Sequence, residues 1–242
     1  MTTLIVPMAG RGQRFEEKGY IFPKPLIEIN GKLMVEYVME NFESMENLNY
    51  VFVVLKEHDD KFHISSVMKR LVPDAKIKMI DSITDGAART VLLVDDLIDD
   101  DDDVIVCNCD QWLEWDAKAF FEIVKNSSYH WITTFNSIHP KFSYVKYDGE
   151  KVTEVQEKNP ISDIATTGIY YWKSWKDFKW AANSMITKNR RINNEFYVCP
   201  VYQELVERGD IIKIYPVTMH SLGTPEDLAA FNLYLKRKEL SE

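Results

Sequence analysis

Three stretches of the chain carry side chains suited to handling phosphate. Ala9, Gly10, Arg11, Gly12, Gln13, Arg14 and Phe15 make a loop with two glycines and two arginines. Glycine has no Cβ, so this backbone can approach a phosphate closely, and Arg11 and Arg14 supply charge-assisted donors. Taken alone, the loop has two readings, a phosphate cradle or a turn that needs glycine only to bend. Ten residues after Arg14, Lys24 stands between Pro23 and Pro25. The prolines stiffen that segment toward extended backbone, so the lysine loses little entropy when it points at a ligand. One loop excursion then presents Arg14 and Lys24 to the same triphosphate. The third stretch is Asn108, Cys109, Asp110, Gln111, where Asp110 follows an apolar run. An acid at the carboxyl end of a central strand sits where open parallel sheets bind ligands, the other reading being a carboxylate that caps the next turn.

Strand ends must position these residues. Residues 3–8 read as a buried strand that runs into the glycine loop. In 32–42, Leu33, Val35, Val38, Met39 and Phe42 recur near helical period, and 50–55 is a continuous apolar strand. A helix over 64–71 stops at Pro73, 76–80 alternates as a strand, 87–97 is a second amphipathic helix, and 104–109 is a fourth buried strand. Strands alternating with helices predict a mostly parallel sheet covered on both faces, an α/β fold in three layers. The second half changes character. Strands at 131–135 and 168–172, and a hairpin of 144–147 with 151–156 around Asp148-Gly149, predict a partly antiparallel region. Helices at 175–185 and 201–208 and a strand at 211–217 follow. The closing helix over 225–238 takes Thr224 as N-cap, Pro225 at its first position and Asp227 at its third.

The 242 residues include 29 Lys+Arg and 38 Asp+Glu, a formal charge of −9, with 45% hydrophobic and 28% charged residues. That is the composition of one globular domain. The acidic balance argues against a partner held by neutralising a run of nucleic-acid phosphates. No apolar run approaches the roughly 18 to 20 residues that span a bilayer, and the N-terminus lacks the basic start of a signal peptide, so a cytoplasmic protein without a membrane partner is expected. Cys107, Cys109 and Cys199 are an odd set without a disulfide framework or zinc-site spacing. The acidic run 99–103 lacks the glycine and terminal glutamate of a calcium loop and reads as a solvated turn. His58, His63 and His130 are read as surface residues, and Trp112, Trp115, Phe120 and Phe121 as packing.

The loop from Ala9 to Phe15, followed by Pro23, Lys24, Pro25, Leu26 and Gly31, resembles the signature of GT-A-type nucleotidyltransferases, the sugar-1-phosphate nucleotidyltransferases and their relatives. The resemblance covers nearly the whole chain. Gly86, Ala87, Ala88 and Thr90 match the helix start where that family contacts the base, and Asp110 matches its metal-binding aspartate. Glu157-Lys158, Gly168 and the run from Gly223 to Leu228 match later motifs. With the stretches His139 to Tyr144 and Asn194 to Tyr197, the pattern is most similar to the CTP:phosphoglutamine cytidylyltransferase branch of Campylobacter capsule modification.

This resemblance implies a single Rossmann-like domain of GT-A type, with a nucleotide-binding half over 1–116 and an acceptor-binding half over 117–242. It implies transfer of a nucleotidyl group, from CTP by closeness to that branch, to a phosphoglutamine-like acceptor with release of pyrophosphate. Arg14, Lys24 and Asp110 would be catalytic, with Mg²⁺ on Asp110. Ala9, Gly10, Arg11, Gly12, Gly86, Ala87 and Ala88 would line the nucleotide. Tyr144, Glu157, Lys158, Thr166, Thr167, Gly168, Glu195 and Tyr197 would line the acceptor. The family usually carries a second aspartate two residues before the late glycine, where this chain has Ser221. Glu195 is therefore the candidate for the second metal ligand or for a contact to the acceptor. Rival readings are a sugar-1-phosphate nucleotidyltransferase, a glycosyltransferase and a catalytically silent nucleotide-binding protein.

Overall fold

Apolar runs with period two and amphipathic segments with period near 3.6 become strands and helices in a computed structural model that describes residues 1–240. The last two residues of the expected 117–242 half lie outside the described residues. In chain order the elements are β1 (Thr2–Pro7), α1 (Gln13–Glu16), β2 (Glu28–Ile29), β3 (Lys32–Leu33), α2 (Met34–Glu40), β4 (Leu48–Leu55), α3 (Lys56–Phe62), α4 (Ile64–Leu71), β5 (Lys76–Ile80) and α5 (Ala87–Leu92). Then come β6 (Asp103–Cys107), β7 (Gln111–Glu114), α6 (Ala117–Lys125), β8 (His130–Asn136), β9 (Ser143–Tyr147), β10 (Val152–Glu157) and β11 (Ile164–Trp172). The chain closes with α7 (Trp175–Thr187), α8 (Val201–Arg208), β12 (Ile212–Pro216), β13 (Thr218–Ser221) and α9 (Pro225–Glu239).

A mixed sheet carries the order β10-β9-β11-β6-β1-β4-β5, with β8 beside β11 and β12 beside β8. The first half is parallel, since β1 pairs with β4 and β6, and β4 with β5, in the same sense. Direction first reverses where β11 runs antiparallel to β6, from Ile169 opposite Cys107 to Trp172 opposite Val104, and β11 is also antiparallel to β8 and β9. Successive side chains of β1 enter opposite faces, as a strand covered on both sides requires. Ile5 joins a core with Val91 of α5, Phe178 of α7 and Tyr202 of α8. Leu4 and Val6 join a second core with Val38 of α2, Met68 of α4 and Phe120 of α6. The expected three layers are thus formed.

A third, smaller core unites Phe15, Ile27, Met34, Leu222, Leu228 and Phe231. It fastens the segment after the glycine loop to the start of α9.

Several local expectations are corrected. Asn30 and Gly31 both take positive φ, 54° and 84°. They form a tight turn between β2 and β3, so the helix expected over 32–42 begins only at Met34. The helix expected over 87–97 ends at Leu92, and Asp95–Leu97 is a separate 3₁₀ turn. The strand expected over 104–109 stops at Cys107, because the chain leaves the sheet there and Gln111–Glu114 pairs with β13 instead. The acidic run is more than a solvated turn, since the carbonyls of Asp100 and Asp102 accept from the amides of Lys176 and Trp175 and seat the start of α7. His130 is buried rather than superficial, its Nδ1 accepting from the Lys173 amide. Trp115 packs on Phe42 and Phe120 as expected of a core aromatic.

Gly86 fixes how the two halves meet. Its φ is +135°, and a Cβ there would lie 2.3 Å from Phe196 N and 2.4 Å from Phe196 O. Backbone cannot yield as a flexible side chain does, so Gly86→Ala is expected to cost about 3 kcal/mol or more. Gly209 has φ +97° but open space around it. Gly209→Ala should cost only about 1 to 2 kcal/mol. Urea unfolding midpoints measure both, and equal losses would show that the Phe196 segment moves aside freely.

Candidate functional site

β1 ends at Pro7, Met8 N still donates to Val53 O at 2.9 Å, and the chain then leaves the sheet as the glycine loop. Gly12, at φ 68°, caps the short α1, and Phe15 of that helix is buried in the third core. Phe15 is therefore the anchor of this loop. Ala9, Gly10, Arg11, Gly12 and Gln13 form one wall of a cavity of about 620 Å³, with Lys24, Cys109, Thr84, Gly86, Ala87, Thr90 and Glu195 around it. The opposite wall is clamped. Phe196 N donates to Asp85 O, Ala88 N donates to Phe196 O, and the Asp85 carboxylate bridges Arg89 and Arg191 at 2.9 Å each. Both guanidinium groups lie over the Phe196 ring, adding cation–π attraction.

At the centre, Lys24 Nζ is 2.5 Å from Asp110 Oδ2. Lys24 does not stand on extended backbone as expected. Pro23 is extended, but Lys24 opens a 3₁₀ turn with Pro25 and Leu26, and Leu26 is buried against the sheet. Burial by itself would pull the Lys24 ammonium down, yet the Asp110 carboxylate outweighs it and holds the group above its ordinary value. The lysine is thus charged at neutral pH. Asp110 is held by its own backbone, its carbonyl accepting from Leu222 N at 2.7 Å and its N–H donating to Gln111 Oε1. Burial pushes the neighbouring Cys109 thiol up to about 11. That thiol is protonated at neutral pH and unsuited to act as a nucleophile.

On the other side of Asp110 lies a narrower cavity of about 230 Å³, reached by Arg14, Asn108, Lys141, Ser143, Glu157, Lys158, Thr166, Thr167, Gly168, Tyr197, Ser221, Gly223 and Asp227, among others. Lys158, at φ 54°, directs its ammonium onto the Tyr197 hydroxyl and over the Tyr197 ring. Burial and the Glu195 carboxylate both push the Tyr197 phenol up. Lys141 Nζ is 2.5 Å from Asp227 Oδ1, and Ser221 Oγ donates to Asp227 Oδ2 at 2.9 Å. A connecting cavity of about 450 Å³ brings Arg14, Lys24, Lys158, Glu195, Tyr197 and Gly223 to a common mouth.

Two cavities meeting at one lysine–aspartate pair, with cations on both sides, suit two phosphate-bearing ligands laid end to end. The family model described as Nucleotidyl transferase matches residues 4–211. The chain belongs to the nucleotidyl transferase family. It is 26% identical over 240 residues to the Bifunctional protein GlmU of Methanocaldococcus jannaschii, covering 97% of this chain and 54% of that protein. It is 22% identical to a putative mannose-1-phosphate guanyltransferase of Sulfolobus acidocaldarius, covering 97% of this chain and 63% of that one. The chain therefore spans less than two thirds of the length of either relative. In fold it is similar to the nucleoside-diphosphate-sugar pyrophosphorylase of Vibrio cholerae RC9, with a TM-score of 0.82 at 24% identity, covering 95% and 99% of the two chains. It is also similar to the inositol-1-phosphate CTP transferase of T. maritima, with a TM-score of 0.74 at 15% identity and 94% and 91% coverage. No helix among the described residues is long and apolar enough to cross a membrane.

The fold brings most of the expected site residues together, and the exceptions have local causes. Tyr144, expected beside the acceptor, is wholly buried, and its hydroxyl donates to His139 O. Neighbouring residues of a strand face opposite ways, so Ser143 enters the cavity in its place and bonds Glu157, the residue opposite it in the β9–β10 pair. Ala88 is buried, turning its amide to Phe196 rather than to the larger cavity. Glu195 stands at the larger cavity and at the common mouth, outside the narrower cavity. Lys141, Asn108 and Asp227 were not singled out by type and spacing. For Asp227 the helix-start pattern concealed it, because a third-position acid already has a capping role.

Among the described residues no group of three or more His, Cys, Asp or Glu side chains converges on one point. A site with few carboxylates does not fit structural zinc. It does fit Mg²⁺, which is commonly held by one or two carboxylates and completed by substrate phosphates and water. Asp110 is placed to hold it.

Glu157 is 8% exposed, and burial pushes its carboxyl from the ordinary 4.5 up to about 7, against the opposing pull of Ser143 and Lys158. Between these two values the unfolded chain releases a proton that the folded chain retains. Wild-type stability therefore falls as pH rises through that window, by about 3 kcal/mol in all. Glu157→Gln lacks this loss. Its melting temperature relative to wild type should rise by several degrees from about pH 4.5 to about pH 7.5, and a constant difference across that range would show that Glu157 ionises normally.

Proposed function

We propose that the chain transfers a nucleotidyl group from a nucleoside triphosphate, CTP by preference, to the phosphate of a small acceptor and releases pyrophosphate. The observation that carries this reading is the Lys24–Asp110 pair at the junction of the two cavities, with Arg14 and Lys158 at their common mouth. The names of two relatives support it, since a mannose-1-phosphate guanyltransferase and an inositol-1-phosphate CTP transferase both take phosphorylated acceptors. The nucleophile is an oxygen of the acceptor phosphate, whose second pKa of about 6 leaves it largely dianionic at neutral pH. It forms a bond to the α-phosphorus of the triphosphate as the α–β bridging bond breaks, and the electron pair leaves with pyrophosphate. No general base is needed.

Arg14 and Lys24 neutralise the leaving pyrophosphate, and Lys158 draws the acceptor phosphate toward the centre. Lys24 exchanges part of its contact with Asp110 for phosphate oxygen. Asp110 would hold Mg²⁺, which would supply further neutralisation of phosphate charge when bound. Ala9, Gly10, Arg11, Gly12, Gly86 and Ala87 face the nucleotide, with backbone close enough to read a base edge by hydrogen bonds. Thr166, Thr167 and Gly168 line the acceptor.

For the acceptor we infer an amino-acid-like phosphate of phosphoglutamine type, consistent with the resemblance to the capsule-modifying branch and with a cytoplasmic reaction. Glu195 at the mouth offers a carboxylate to an α-ammonium group, which a sugar 1-phosphate lacks. A sugar-1-phosphate acceptor is the second reading, favoured by the relatives' names.

Pyrophosphate release measured over the four common triphosphates and a panel of acceptors tests this reading. CTP with phosphoglutamine should give the highest kcat/KM. A preference above about tenfold for another base would refute CTP, and faster use of glucose 1-phosphate would establish the second reading. Asp110→Asn should lower turnover by about a hundredfold or more with shape retained, so near-normal turnover at saturating Mg²⁺ would sink the assignment. Lys24→Ala and Arg14→Ala should lose most activity while melting within a few degrees of wild type.

A further inference from the structure

The start of α9 is unusual in where its third residue points. Asp227 N donates to Thr224 Oγ1 at 3.1 Å, as helix capping requires. Its carboxylate turns toward the cleft instead, to Lys141 Nζ and Ser221 Oγ. Gly223 lies between this carboxylate and the central one. A Cβ on Gly223 would be 3.1 Å from Asp110 Oδ2, 3.5 Å from Ser221 Oγ and 3.7 Å from Asp227 Oδ2. Three oxygens thus surround a point that glycine leaves open, and the two carboxylate oxygens are no more than about 7 Å apart. Each carboxylate already carries one ammonium group, Lys24 on Asp110 and Lys141 on Asp227. Glu195 lines the nucleotide cavity and the common mouth instead.

We propose that Asp227, rather than Glu195, is the second carboxylate of the reaction centre, facing Asp110 across Gly223 and sharing the divalent cation with it directly or through one water. Lys141 is its counter-ion until the cation arrives and is then released toward phosphate. Ser221 keeps the carboxylate turned to the cleft. This inference rests on the metal-dependent transfer reading above but not on the choice of base or acceptor.

The test is equilibrium Mn²⁺ binding, read by the paramagnetic resonance of free Mn²⁺, to the full chain saturated with whichever of the four triphosphates it binds tightest. Asp227→Asn should weaken Mn²⁺ at least tenfold and Glu195→Gln less than threefold, with melting temperatures recorded for every variant. Ser221→Asp combined with Asp227→Asn puts a carboxylate back beside Gly223 and should recover most of the lost affinity. Lys141→Met leaves Asp227 in place and should tighten Mn²⁺, which keeps the assignment testable if Asp227→Asn folds poorly. Wild-type affinity in folded Asp227→Asn overturns it, as does a loss confined to Glu195→Gln or an unchanged affinity in Lys141→Met. Wild type that binds triphosphate but no Mn²⁺ overturns both this assignment and the metal-dependent reading.

Discussion

β11 can run past the end of β6 only because residue 168 has no side chain. Gly168 has φ +91°, its carbonyl accepts from Asn108 N at 2.9 Å, and a Cβ there would lie 2.5 Å from Asn108 Nδ2. Much of the site follows from this contact. With Asn108 held against β11, the chain turns out of the sheet after Cys107 and presents Asp110 at the seam between parallel and antiparallel strands. Gln111 then starts β7, which pairs with β13 and brings Ser221, Gly223 and the start of α9 alongside Asp110. The register of β11 shifts between Thr166 and Tyr170. Such an irregularity opens a sheet locally, and here Thr166, Thr167 and Gly168 line a cavity.

The electrostatics reconcile a chain of charge −9 with a family that handles polyanions. Positive charge is gathered in the cleft, where Lys24 and Lys141 each rest on a carboxylate and Lys158 rests on the Tyr197 hydroxyl. These partners lower the desolvation cost of holding ammonium groups half-buried. They also hold those groups in fixed positions within the cleft.

The third core gives this arrangement mechanical support. Phe15 follows the glycine loop by one turn, Leu222 lies between Ser221 and Gly223, and Leu228 and Phe231 belong to α9. One apolar cluster thus sets the spacing between the loop with Arg14, the strand end with Asp110 and the helix start with Asp227. The segment around Phe196 has its own clamp through Asp85, Arg89 and Arg191. Loop, strand end and helix start are therefore fixed by packing and ion pairs rather than by the rigidity of any one element.

The sequence by itself determined the three-layer α/β architecture, because apolar period and turn residues act over short distances. It also singled out Arg14, Lys24, Asp110, Glu157 and Lys158 as candidates, because their motifs are local. Thr224 as the cap of the last helix was legible for the same reason. The tertiary structure decided what depends on long-range pairing. The β7–β13 pair, the burial of His130, and the exchange of Tyr144 for Ser143 at the cavity depend on register between distant strands. So does the role of Asp227. Its neighbours in sequence make it a capping residue, while Lys141, 86 residues away, and the open space at Gly223 place its charge in the cleft. A carboxylate's chemistry is set by the charges and solvent around it, and in this chain those arrive from other elements of the fold.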